Sequence, residues 1–313
     1  GANMHRIITI TLNPALDMHY YLPHLEVEVE NYSSEYTVNA GGKGVNVSRA
    51  LAASGVPSLA VIVAGRTNYQ EFAALLDRDH GEYCLIPCEG AIRRNITIHH
   101  DEGKETRISQ DGFTVSLDVL EQVQKKAAEW ITPGSILVFS GRVPKGVPIP
   151  EINRFLRSLK ELGALLVIDS NSFSLTDLIE LEPWLIKPNE HEIELLLGRK
   201  IKGAAEAEKA AGEIKAAGIE NVLISLGAEG MVFAGAGCSY RLQVPAITPV
   251  STIGAGDSTI AGFIAGYTQG ASLNEALKTA ASFGTAACLT EGTNPPLPNT
   301  IAQMKEEIRM EKC

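Results

Sequence analysis

Cysteine is scarce here, with five in 313 residues. The number is odd, and only Cys84 and Cys88 lie close together, with no second pair at zinc-ligand spacing. That pattern argues against both a disulfide scaffold and a zinc knuckle, and suits reduced thiols in a cytoplasmic protein. No run of eighteen apolar residues is present, so no bilayer-spanning helix is expected. The N-terminus lacks a charged segment followed by an apolar one, which argues against a secretory signal. Positive charge is in deficit, at a formal net −10, so the basic face of a nucleic-acid binder is not expected. Aromatic residues are few. No G-x-x-x-x-G-K-[ST] loop occurs, and no strand–GxGxxG–helix unit is followed by an acid, which leaves little support for a P-loop or dehydrogenase reading.

Glycine is plentiful by contrast, at 29 residues, and 45% of the chain is hydrophobic, enough for one large α/β domain with or without a small appendage. Gly1-Ala2-Asn3 ahead of Met4 is left out of the fold argument. β-Branched and apolar runs at 7–12, 59–63, 136–139, 165–168 and 222–225 read as strands. Between them, 117–130, 149–162 and 204–217 are spaced for amphipathic helices, and 255–310 is mostly helical. This alternation predicts a doubly wound, mainly parallel sheet with helices on both faces, and ligands at the carboxyl ends of its strands. Residues 19–39 alternate without helical spacing, and 92–109 read as a hairpin turned at Asp101-Glu102-Gly103. These two segments are expected to form a small extra sheet, either covering a site or decorating an edge.

The sharpest local signal is Thr252-Ile253-Gly254-Ala255-Gly256-Asp257-Ser258, leading into a helix. A Gly-Ala-Gly turn at a helix start leaves backbone N–H groups free for an anion, and Asp257 stands beside them. Alone, Asp257 reads equally as a helix-start acid; next to an anion hole, it suits a base for phosphoryl transfer to a hydroxyl. The helix dipole is expected to keep it ionised. Gly41-Gly42-Lys43-Gly44-Val45-Asn46 also opens a helix, as a ligand-hugging turn or a plain tight one. Three weaker pieces are each open to a plainer reading as a turn or cap: Asn13-Pro14-Ala15-Leu16-Asp17, Lys187-Pro188-Asn189-Glu190-His191-Glu192, and Ser225-Leu226-Gly227-Ala228-Glu229-Gly230.

Taken together, in this order from Asn13 to Gly292, the motifs resemble the ribokinase-like (PfkB) carbohydrate kinases, and most of all their hexose-phosphate branch. The resemblance implies one kinase domain over 4–313, with lid segments 19–39 and 92–109 inserted. It implies ATP-dependent phosphorylation of a ketohexose monophosphate, with Mg2+, and pairing of two β-lids into a homodimer. It gives Asp257 the role of catalytic base beside an anion hole of Gly254, Ala255 and Gly256. Asp17, Gly41, Gly42, Lys43, Asn46 and Ser140 match acceptor contacts, and Arg93 and Arg107 match arginines that hold the acceptor's phosphate. Lys187, Asn189, Ser225, Gly227 and Gly230 match nucleotide contacts, and Asn189 with Glu192 matches an element linked to magnesium through water or phosphate. Where relatives usually carry Ser-Gly-Ser-Leu-Pro, this chain has Ser140-Gly141-Arg142-Val143-Pro144. Two other readings stand beside this one. A kinase for an unphosphorylated sugar or nucleoside would not need the lid arginines, and a non-catalytic sugar-phosphate sensor would have lost Asp257 or its glycines.

Overall fold

The computed structural model describes residues 6–79 and 81–313; Met4, His5 and His80 of the expected 4–313 unit lie outside them. The first half runs β1 (Ile7–Thr11), β2 (Ala15–Tyr21), β3 (Glu35–Gly41), α1 (Lys43–Ala53), β4 (Leu59–Gly65), α2 (Tyr69–Arg78), β5 (Glu82–Cys88), β6 (Arg93–His100), β7 (Lys104–Ile108), α3 (Leu117–Trp130), β8 (Ile136–Ser140) and α4 (Ile149–Lys160). The second half runs β9 (Leu165–Asp169), α5 (Leu175–Leu181), β10 (Leu185–Ile186), α6 (Glu190–Leu197), α7 (Gly203–Ala216), β11 (Asn221–Ser225), β12 (Met231–Gly235), β13 (Cys238–Gln243), α8 (Ala255–Thr268), α9 (Leu273–Ala287), α10 (Pro298–Glu307) and β14 (Arg309–Lys312).

Ten strands form the main sheet, in the order β14-β13-β12-β11-β10-β9-β8-β1-β4-β5. Pairing is parallel from β5 to β11 and antiparallel from β11 to β14. Alternation along the strands divides the core between the faces. Ile8, Ile10, Leu137, Phe139, Leu166 and Ile168 join one buried cluster with residues of α2 to α7. Ile7, Ile136, Val138 and Val167 join the other with residues of α1, α8, α9 and α10. Strands buried on both faces read as continuous apolar runs, which is why they were legible.

The second sheet has four strands, ordered β3-β2-β6-β7. The hairpin β6–β7 turns where expected, with Asp101, Glu102 and Gly103 all at positive φ. The 19–39 segment is strand only at its ends, and β2 begins earlier, at Ala15. Leu25–Glu30, for all its alternation, leaves the sheet. Asn31 closes it into a loop, accepting from the Glu26 N–H at 3.0 Å and donating to the Glu26 carbonyl at 2.8 Å, while Glu28 takes a left-handed φ of 69°. Local side-chain-to-backbone bonding here outcompetes a ladder.

Candidate active site

β1, β8, β9 and β10 all run toward one edge of the main sheet, and the residues at their carboxyl ends define a site there. Thr11 ends β1, Ser140 ends β8, Asp169 ends β9 and Lys187 follows β10. α1 and α8, packed side by side on one face, present their N-termini to the same edge. Gly254 caps α8 at φ 80°, and Ala255, Gly256 and Asp257 form its first turn. The Ala255 N–H, expected to be free, donates to the Thr252 carbonyl at 3.3 Å, while those of Gly256 and Asp257 lack intrahelical acceptors.

Asp257 is 4% exposed. Its Oδ2 accepts from Asn46 Nδ2 at 3.0 Å, and its Oδ1 is buried without a partner. Desolvation pushes its carboxyl up to about 6, against the pull of Lys43, with Asp169 adding to the rise. The carboxyl is still ionised at pH 7, as expected, but burial outweighs the first-turn dipole and raises its value rather than lowering it. Lys43 Nζ lies 3.4 Å from Asp169 Oδ2, and that carboxylate holds the ammonium firmly protonated. Asp169 was missed in the sequence. The signal for it was an acid closing an apolar strand at the ligand-binding edge.

Asp17 comes from the small sheet, where it pairs with Asn39 of β3 and Asn95 of β6. Burial lifts its carboxyl to about 6, partly offset by Arg93 and Arg49. A Cβ at Gly41 would collide with the Asp17 carboxylate, so the glycine is required for that carboxylate to lie where it does. Arg93 and Arg94 point to opposite faces, as strand alternation demands. Arg94 makes a two-pronged pair with Glu71, while Arg93 donates to the carbonyls of Asn13, Pro14 and Gln110 at 3.2–3.3 Å. A guanidinium has five N–H donors; three bonds leave it two. Arg107, opposite Thr97 on β7, is half exposed and pairs with Glu105 at 3.5 Å. The side chains of Thr11, Asn13, Asn46 and Ser140 each bring a buried, unpartnered oxygen. Buried polar atoms left unpaired are costly unless something else satisfies them.

The second group of expected residues follows β10 and β11. Lys187 is buried, with its ammonium so near the first turn that a Cβ at Gly256 would sit 3.0 Å from Nζ. Asn189 and Glu192 form a reciprocal capping box at the start of α6. The plainer reading therefore holds for one oxygen of each side chain, while the other carboxylate oxygen and the amide nitrogen are not used by the box. Ser225 bridges Asn189 in parallel fashion, and a single 3-10 turn at Gly227–Glu229 follows it. Gly230 has a structural cause of its own, since a Cβ there would strike the Leu242 carbonyl. The folded chain thus gathers Asp17, Gly41, Gly42, Lys43, Asn46, Arg93, Ser140 and Asp257 around one space. Lys187 senses Asp257, Glu192 senses Lys43 and Arg107 senses Asp17, while Ser225 is linked through Asn189 and Gly227 follows it.

Residues 8–300 match the pfkB family of carbohydrate kinases. The chain belongs to that family. It is 34% identical over 284 residues to a 1-phosphofructokinase of Borreliella burgdorferi, covering 90% of this chain and 92% of that one. A 1-phosphofructokinase of Bacillus subtilis is 30% identical over 305 residues, covering 96% and 98%. Among solved structures, phosphofructokinase-2 of Escherichia coli in complex with substrates and products superposes with a TM-score of 0.91 at 27% identity, covering 96% of this chain and 99% of that one. As a carbohydrate kinase of this family, the protein is a phosphotransferase with an alcohol acceptor, and ATP is its co-substrate. Among the described residues, no helix is long and apolar enough to cross a membrane.

Proposed function

We propose that the protein moves the γ-phosphoryl group of ATP onto a free hydroxyl of a ketohexose monophosphate, giving a bisphosphate. Fructose 1-phosphate is put ahead of tagatose 6-phosphate, because relatives 30–34% identical over most of their length are 1-phosphofructokinases. The observation that carries the reading is Asp257: a buried carboxylate with one oxygen held by Asn46 and the other unpartnered, in the first turn of α8. As the acceptor oxygen bonds to the γ-phosphorus, the bond from that phosphorus to the β-phosphate oxygen breaks. ADP leaves, and the hydroxyl proton passes to Asp257 Oδ1. The Gly256 and Asp257 amides at the start of α8 and the Lys187 ammonium receive the charge of the moving group. Asp17 and the Asn46 side chain orient the sugar, and the two spare N–H groups of Arg93 hold the phosphate it already carries. Gly227 and Ser225 border the nucleotide.

Among the described residues, no group of three or more His, Cys, Asp or Glu could cage a metal ion. The residues present fit magnesium carried in on the ATP phosphates, with the second carboxylate oxygen of Glu192 able to accept from its water shell and the Asn189 Nδ2 able to donate to a phosphate oxygen. Its chemistry there is to neutralise the phosphate chain. The lid also exposes Val27, Tyr32, Tyr36 and Ile108, an apolar surface that supports pairing of two copies through their small sheets.

The test is ATP turnover with fructose 1-phosphate, tagatose 6-phosphate, fructose 6-phosphate, fructose and ribose, with and without excess chelator, alongside sedimentation of the enzyme. Turnover of a phosphosugar well above the free sugars, lost on chelation, is expected, at the mass of a dimer. Preference for fructose or ribose would sink the acceptor assignment, full activity in chelator the metal assignment, and a monomer the pairing.

A further inference from the structure

Three cations converge on the short connection Gln110–Gly112, between the lid and α3. Arg93 donates to the Gln110 carbonyl. Arg142, in the loop after β8, reaches Asp111 Oδ1 at 3.4 Å, and Lys145, three residues on, reaches Asp111 Oδ2 at 3.2 Å. The charges sense one another. Lys145 foremost, then Arg142, hold the Asp111 carboxyl below its usual range, and Arg142 adds to the burial that lowers Arg93. One exposed carboxylate thus stands among three cations, of which Arg93 also faces the buried Asp17, in a chain whose formal charge is −10. The bonds to Asp111 are long for charge-assisted ones, which typically span about 2.7–2.9 Å. The side chains are also open to water, Arg142 at 59% and both Lys145 and Asp111 at 65% exposed. Such pairs hold each other weakly. Next to them, Arg93 keeps two N–H groups unspent.

We propose that Asp111 is a placeholder anion at the acceptor's phosphate subsite, and that Arg142 and Lys145, in addition to Arg93, set the preference for a phosphorylated acceptor. Without substrate, the carboxylate keeps both flexible cations turned toward Arg93. A phosphate dianion brings three oxygens and a second charge, so it displaces Asp111 and takes over both partners. The carboxylate then swings to water, where its exposure lets it be solvated. This rests on the ketohexose-phosphate reading above. It departs from a simple surface staple in one respect, which is the sign of the effect of removing the carboxylate.

The experiment compares Asp111→Asn, Arg142→Ala and Lys145→Ala with the parent, in steady-state kinetics with fructose 1-phosphate, fructose and ATP. Arg142→Ala and Lys145→Ala should each raise KM for the phosphosugar by roughly tenfold, the loss of one charge-assisted contact. Asp111→Asn should lower it several-fold, because the internal competitor is gone while its size is kept. KM for ATP and for fructose should move in none of them. A rise in phosphosugar KM for Asp111→Asn, parallel to the other two, would mark a staple and overturn the proposal, as would three unmoved values. Should the parent use no phosphosugar at all, the acceptor reading fails separately. Inorganic phosphate then serves as the probe: tighter binding to Asp111→Asn than to the parent by calorimetry supports the placeholder, and equal or weaker binding rejects it.

Discussion

At pH 7, the Asp257 carboxyl is charged against its own desolvation, so replacing it separates activity from stability. Its folded value is raised from 3.8 to about 6, so the folded state holds the proton more tightly. That contribution is fully present below 3.8 and is lost as pH rises through about 6. Asp257→Asn should therefore match or exceed the parent's stability at pH 7, by on the order of 1–3 kcal/mol, while kcat falls by about 10²–10⁴. Melting temperature and kcat measured together check this; a folded variant with most of its kcat would end the assignment of the base. The parent's kcat/KM should itself fall as pH drops through about 6, where the base becomes protonated. Arg93→Ala should raise KM for the phosphosugar by roughly tenfold to a hundredfold, with KM for ATP nearly unmoved; an unchanged phosphosugar KM would remove Arg93 from the phosphate site. At this scale, Asp257 was legible because glycines and an acid at a helix start leave a local mark. Its burial was not, since Lys43, Asn46 and Asp169 come to it from distant parts of the chain. Asp169 left only the mark of an acid closing an apolar strand and Arg142 only a departure from the relatives' usual Ser-Gly-Ser-Leu-Pro, while Asp111 and Lys145 left none.

Elements carry the site by bringing two sheets into register. β3 delivers Gly41 against Asp17 of β2, and α1 starts two residues later, so Lys43 and Asn46 are placed by the same turn. Gly41→Ala would drive a methyl into the Asp17 carboxylate. Overpacking of this kind typically costs about 1–3 kcal/mol, and here the displaced group is the proposed acceptor contact. The expected result is a lower melting temperature and a KM for the sugar raised more than that for ATP. If the two KM values rose equally, Asp17 would not be an acceptor contact. Alternation was a sound guide where a sheet was there to receive it, in β6 and β7, and misled at Leu25–Glu30. Period two describes a strand only when a neighbour offers a ladder, and Asn31 offers that stretch a loop instead.

For the molecule as a whole, the small sheet meets the body at His19. The ring is buried, its Nδ1 lies 2.9 Å from His99 Nε2, and a Cβ at Gly292 of the α9–α10 connection would sit 2.8 Å from its Nε2. Desolvation foremost, then His99, lowers its folded value from 6.5 to about 4. Between those values, the unfolded chain binds the proton that the folded chain refuses, so this group costs stability as pH falls from 6.5 toward 4. Asp17 and Asp257 act with the opposite sign over 3.8 to about 6, so the informative quantity is a difference between variants. His19→Gln should gain on the parent in melting temperature as pH is lowered from 7 to 4.5; a constant difference would show that the ring is not held neutral by burial. The amino-acid sequence by itself determined the doubly wound sheet, the hairpin, both glycine turns and the family, because periodicity, turn chemistry and motif order are written along the chain. Only the tertiary structure decided which way Arg93 and Arg94 point, that Asp169 stands behind Lys43, and that Asp257 and Asp17 titrate near 6. Those properties are set by neighbours far away in sequence and by the exclusion of water, and neither exists until the two sheets close on each other.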